Sequence, residues 1–160
     1  MRRLFACLPL VFATLGCGPG SDPNLDQSCE SRGERSVIVG TGEEGFQEIG
    51  SDGVFVQQGP QGGFHIWIAL RCQNLGPRIT ASYGVDDLDT MQPVSQPNMK
   101  RVVELDYTGS ADETAGLYGY LDSQLAPDLS GHNVKLWAEV TDSCGGSTRG
   151  EVATKVRGFQ

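Results

Sequence analysis

Apolar and polar residues take turns along this chain in short bursts, and that alternation limits what it can fold into. Phe64, Ile66, Ile68, Leu70 and Cys72 share one parity, with His65, Trp67 and Arg71 between them. Val134, Leu136, Ala138 and Val140 repeat the pattern, with Trp137 out of phase. Successive side chains on a strand point to opposite faces, so a period of two marks half-buried strands. No stretch carries the 3.6-residue period of an amphipathic helix. The pattern predicts strands over residues 37–39, 54–56, 64–72, 79–85, 102–107, 114–121, 134–141 and 151–156, with a weaker piece at 46–49. Clusters of Gly, Pro, Asn, Asp and Ser separate them, and prolines at 93 and 97 make 91–98 a loop.

Roughly seven strands with turns every 8–12 residues or so predict an all-β fold, a two-sheet sandwich of immunoglobulin-like type. The closing hairpin, residues 134–156, resembles the last two strands of bacterial immunoglobulin-like and PKD-like modules. With residues 64–72 as the second strand and 134–141 as the sixth, the two lie in different sheets and run the same way. Cys72 and Cys144 then fall at one end, and Cys72 shares the parity of the core face. A Cys72–Cys144 disulfide is the expectation, with Cys29, at the start of the first strand, the rival partner.

The amino-terminal segment carries a different signal. Arg2 and Arg3 precede an apolar run over residues 4–16, about the length of a secretory leader core and short of the ~20 residues that span a bilayer. Residues 14–17, Thr-Leu-Gly-Cys, resemble the bacterial lipoprotein signal, with Leu at −2 where that signal usually has it at −3. The resemblance implies a signal peptide over 1–16, lipid attachment (palmitate-type acylation) at Cys17 and a membrane-anchored cell-envelope protein. Residues 17–34, rich in Gly, Pro, Ser, Asp and Asn, read as a flexible tether, and residues 35–160 as one domain. Without its leader the chain holds 10 basic and 20 acidic residues. That balance argues against a nucleic-acid partner, which needs a basic face.

The most unusual segment is GPQGG at residues 59–63, followed by His65 and Trp67. It resembles a GPQGG-x-H-x-W motif of uncharacterised myxobacterial-type exported lipoproteins, which implies compartment and fold and leaves activity open. The glycines read first as a turn. His65 and Trp67 have the parity opposite to the core set, as do Tyr118 and Tyr120 relative to Leu117 and Leu121. If strand 114–121 lies beside 64–72, these four aromatic groups meet on an outer sheet face, a candidate surface for a protein or glycan partner. The competing expectation is that the tether, a loop or the Phe46 segment covers them.

Other chemistry is thinly supported. His65, His132, Met91 and Met99 could suit copper, but nothing in the sequence brings them together. Asp86, Asp87 and Asp89 lack calcium-loop spacing and read as a solvated loop. There is no G-x-S-x-G elbow and no H-E-x-x-H. The expectation is a non-catalytic binding or structural module without cofactor or metal. A small envelope hydrolase with an unrecognised carboxylate pair and a periplasmic metal carrier are the alternatives.

Overall fold

The structure, a computed structural model, describes residues 33–160. The expected leader over 1–16, the expected lipid-attachment residue Cys17, most of the expected tether and Cys29 lie outside the described residues. Ten strands follow in order: β1 (Ser36–Gly40), β2 (Val54–Gln58), β3 (Phe64–Gln73), β4 (Arg78–Asp87), β5 (Gln92–Pro93), β6 (Lys100–Glu104), β7 (Asp106–Tyr107), β8 (Asp112–Tyr120), β9 (Asn133–Asp142) and β10 (Ser147–Phe159). A short 3-10 helix, Ala126–Leu129, leads into β9.

The strands form two layers. One contains β7, β8, β3, β1 and β2; the other contains β10, β9, β4 and the short strands β5 and β6. All pairings within the layers are antiparallel. This is the immunoglobulin-like arrangement, with β3 and β9 in opposite sheets. At one edge β10 pairs in parallel with β2, Val156 opposite Val54, so hydrogen bonds join the layers there.

The core lies between the sheets and follows the parity read from the sequence. Ile66, Ile68, Leu70 and Cys72 of β3 are fully buried, as are Leu136, Ala138 and Val140 of β9. Strand β4 adds Ile79, Ala81, Tyr83 and Val85.

Two stretches depart from the expectation. Residues 46–49 form no strand; Gln47 makes only an isolated bridge to Thr41. Residues 102–107 are not one strand but two. Strand β6 pairs with β4 in one layer and β7 with β8 in the other. The chain changes sheets at Leu105, which is buried and whose N–H donates to the Pro77 carbonyl at 2.7 Å.

The expected Cys72–Cys144 disulfide is not formed. Cys72 is a free thiol, fully buried in the core. Burial first, and then the Asp112 charge, push its pKa up to about 12, so the thiol is unreactive at neutral pH. Cys144 is disulfide-bonded, but not to Cys72. The physical reason is position. The buried face of β9 ends at Asp142, and Cys144 sits two residues beyond it, in the turn to β10. The proximity expected from strand direction is a proximity of ends, and it does not put Cys144 between the layers.

The chain enters the domain at the far end from the GPQGG turn. Ser36 pairs with Gln73, the last residue of β3. The Asn74 side chain holds the Glu34 carbonyl at 2.8 Å. Arg35 donates to Asp142 at 2.7 Å. Strand β3 has ten residues at ~3.3 Å each, so this end lies roughly 30 Å from the turn.

A candidate aromatic binding cleft

The turn before β3 is built as the glycines suggested. Within residues 59–63 the Gly59 N–H donates to the Gly63 carbonyl at 2.8 Å and the Gly62 N–H to the Gly59 carbonyl at 2.9 Å. Gly62 has φ +83°, a conformation that side chains with a Cβ rarely adopt. The turn aims β3 so that His65 lies opposite Tyr120 and Trp67 opposite Tyr118 on β8. The four residues expected on an outer face therefore meet there.

Their rings form a contiguous row. Ring centroids are 4.6 Å apart for His65 and Trp67, 4.9 Å for His65 and Tyr118, and 4.5 Å for Trp67 and Tyr118. Tyr118 and Tyr120 stack at 5.3 Å with an interplanar angle of 8°. Edge-to-face and offset pairs of this kind each contribute about 0.5–1.5 kcal/mol beyond area burial.

This row is the floor of a cleft of about 530 Å³. Gln57 and Gln58 of β2, the 59–63 turn with Gln61 and, opposite, Glu43 complete its walls. Trp67 and Tyr118 are half-buried and Tyr120 is exposed. His65 takes the outward placement expected for it but not the exposure: it is only 6 % exposed, covered by its aromatic neighbours.

Sequence reasoning missed the walls. Glu43 reaches the rim because residues 41–47 fold over the outer face of β3. The Thr41 hydroxyl donates to the Trp67 carbonyl at 2.8 Å, and the Gly116 N–H to the Gly42 carbonyl at 3.0 Å. The second contact depends on a bulge in β8, where the register with β3 shifts between Ile68 and Leu70. Gly116 sits there at φ +68°, and a Cβ on it would lie 2.8 Å from the Glu43 carbonyl. Phe46, a proposed cover for the aromatic row, instead lies under the Arg71 guanidinium at 4.1 Å. Arg71 also pairs with Glu113 at 2.7 Å and Glu48 at 3.2 Å. The loop thus closes one end of the row and leaves the rest open.

The electrostatics of the cleft are mild. Glu43 is the one charged side chain among its lining residues. Burial depresses the His65 imidazole below its ordinary value, against a smaller upward pull from the Glu43 charge. His65 is therefore neutral at pH 7. Its Nε2 is buried and makes no hydrogen bond to any described residue.

The other histidine behaves oppositely. His132 Nδ1 lies 2.9 Å from Asp87 Oδ2. That hydrogen bond raises the His132 pKa, slight burial opposes it, and the charges of Asp87, Asp89 and Asp128 add to the rise. Asp87 is buried, which alone would push its carboxyl up; the bonds from His132, the Asp89 N–H and Thr90 outweigh this and bring it down. The expected solvated loop at 86–89 is therefore an ordered polar cluster.

Ligand atoms of Asp87, Asp89 and His132 lie within 4.8 Å of one another, a spacing that could hold a metal ion. All four carboxylate oxygens already accept protein hydrogen bonds: Asp87 from the Asp89 N–H, Thr90 and His132, and Asp89 from the Asn133 N–H and side-chain amide. The cluster pins the turn after β4 to the start of β9. His65 and His132 occupy separate clusters, Met91 is exposed and Met99 packs on the core, so the copper-type set is not assembled.

These opposite shifts have a measurable consequence. In an NMR titration the His132 ring should titrate above the ordinary imidazole value of about 6.5 and the His65 ring below it. Stability linked to His132 is fully present below that ordinary value and fades as pH rises through the raised one. The Asp87 contribution is present above its ordinary value and fades as pH falls through the depressed one. Titration of both rings together near 6.5 would contradict the two environments.

Among family models, curated proteins and solved structures, none matches this chain.

Proposed function

We propose that the chain is a lipid-anchored cell-envelope protein whose sandwich is a binding module, with the cleft over β3 and β8 as its capture site. The observation that carries this reading is the convergence of Trp67, Tyr118, Tyr120 and the glutamine-bearing 57–61 segment on one concave outer face. Pockets of roughly 300–1,000 Å³ lined by aromatic groups and a few polar ones are the usual form of ligand sites. The leader-like segment and the lipoprotein-type signal at Cys17 support export and anchoring. The chain enters roughly 30 Å from the turn that borders the cleft, so the tether does not emerge beside the cleft.

Binding without catalysis is the better reading of this cleft. A hydrolase acting through paired carboxyl groups needs two of them flanking the scissile bond. Glu43 is the one carboxylate among the lining residues.

The test is co-purification. The full chain, recovered from native envelopes by mild solubilisation, should retain a partner, and Trp67→Ala should lose it. Tyr107→Ala, at an exposed aromatic on the same sheet outside the cleft, should keep it. Cys17→Ser should move the protein to the soluble fraction. Equal capture by the Trp67 and Tyr107 variants would remove the cleft as the site.

A further inference from the structure

Resting on the binding reading above, we infer that the cleft takes an uncharged saccharide. The cleft is selective through the chemical groups that line it and those it lacks. Its floor is aromatic: Trp67, Tyr118 and Tyr120 with His65. Its walls offer the side-chain amides of Gln57, Gln58 and Gln61, each with two N–H donors and a carbonyl acceptor, of which one Gln57 N–H already donates to Gln160 Oε1 at 3.0 Å. A sugar ring presents the matching pair of surfaces, with polarised C–H groups on one face and hydroxyls around the rim. The C–H face suits the negative face of an aromatic ring, and each hydroxyl both donates and accepts as an amide does.

Two competing ligand classes fit less well. An anion would find no Lys or Arg among the lining residues and would face Glu43. A quaternary or primary ammonium would be drawn to Glu43, but it needs open ring faces around it within about 6 Å. Here neighbouring ring centroids already lie 4.5–6.4 Å from one another, so the rings fill the space that a cage would leave for the cation.

His65 adds a buried polar atom without a partner among the described residues, beneath the aromatic row, one that a ligand could reach if a covering ring shifts. It is more than nine-tenths buried at the floor of the cleft, and its Nε2 has no hydrogen bond to a described residue. Leaving such an atom unsatisfied is unfavourable, because it gives up its hydrogen bonds to water and gains none in return. A neutral imidazole nitrogen can accept from or donate to a sugar hydroxyl according to tautomer, whereas a primary ammonium can only donate to it and a quaternary ammonium, having no N–H, can do neither.

The experiment uses the purified full chain with three sets of probes: uncharged oligosaccharides, acidic oligosaccharides, and choline with a trimethyllysine peptide. Binding to at least one uncharged glycan is expected with Kd of about 1 mM or tighter, weakened about tenfold or more by Trp67→Ala. Glu43→Gln keeps a polar group at the rim and removes its charge. Saccharide binding should not weaken between low and high salt, and Tyr107→Ala, outside the cleft, should change it by less than about threefold. Binding of choline or the peptide alone, abolished by Glu43→Gln, would overturn the saccharide assignment and keep the cleft as a site. Failure of every uncharged glycan, with envelope capture still sensitive to Trp67→Ala, would also overturn the saccharide and leave the binding function standing. Envelope capture indifferent to Trp67→Ala would remove both.

Discussion

Asp142→Ala should lower the stability of the domain by about 3 kcal/mol, since hydrogen bonds to a charged group are worth about 1.5–3 kcal/mol each and Arg35, 26 % exposed, regains water when the carboxylate goes. The Asp142 side chain is fully buried at the end of β9. It receives Arg35 at 2.7 Å, the Cys144 N–H at 2.9 Å and the Gly146 N–H at 2.8 Å. One carboxylate thus shapes the β9–β10 turn and ties the incoming chain to it. Without it, the guanidinium and two turn amides lose an acceptor at once. In thermal unfolding the midpoint should fall by more than about 10 °C.

The pH dependence has a defined sign. Burial alone would raise the Asp142 carboxyl, but the bonds from Arg35 and the Gly146 N–H, the Arg35 charge and the Cys144 N–H bring it below its ordinary value. A depressed folded-state pKa gives stability that is present above the unfolded value and lost as pH falls through the folded one. The variant should therefore show less loss of stability on acidification than the parent chain. A destabilisation under about 1 kcal/mol at neutral pH would show that the turn holds without this carboxylate.

The second large effect is expected at Ile68. It is completely buried between the sheets, and truncation to Ala should cost about 2–5 kcal/mol, the range for deleting an isoleucine side chain from a packed core. The neighbouring Trp67→Ala removes a much larger side chain from the opposite face. It forfeits two ring contacts, with His65 and Tyr118, worth about 1–3 kcal/mol together beyond the area they bury. Chemical denaturation of both variants reads the order directly. If Trp67→Ala proved the more damaging, the outer aromatic row would be a second core and not a ligand surface. Ile68→Ala is not expected to alter ligand capture at temperatures where the variant remains folded.

Much of the candidate site was legible because it depends on parity and one strand pairing. His65 and Trp67 on β3, with Tyr118 and Tyr120 on β8, share a face once the two strands are neighbours, and they are. The signal for Glu43 was weaker, since it rests on a loop folding back over its own sheet. That fold is set by Gly42 and Gly116, whose backbone contact joins residues 74 apart in the sequence. His132 and Asp87 illustrate the same limit. Each looked like part of an ordinary polar loop, yet the pairing of β4 with β9 sets Asp87 opposite Val134 and brings the two side chains together.

Local alternation by itself determined that the chain is a β-sandwich, which residues face its interior, and that the aromatic groups of β3 and β8 face away from it. Side-chain direction on a strand is fixed by the pleat and needs no knowledge of distant partners. Only the tertiary structure decided that Cys72 stays a buried thiol, that residues 100–107 switch sheets at Leu105, and that the 41–47 loop closes one end of the aromatic row. Those outcomes depend on where chain ends and loops come to lie between and over the layers, and sequence-distant backbone contacts fix that placement.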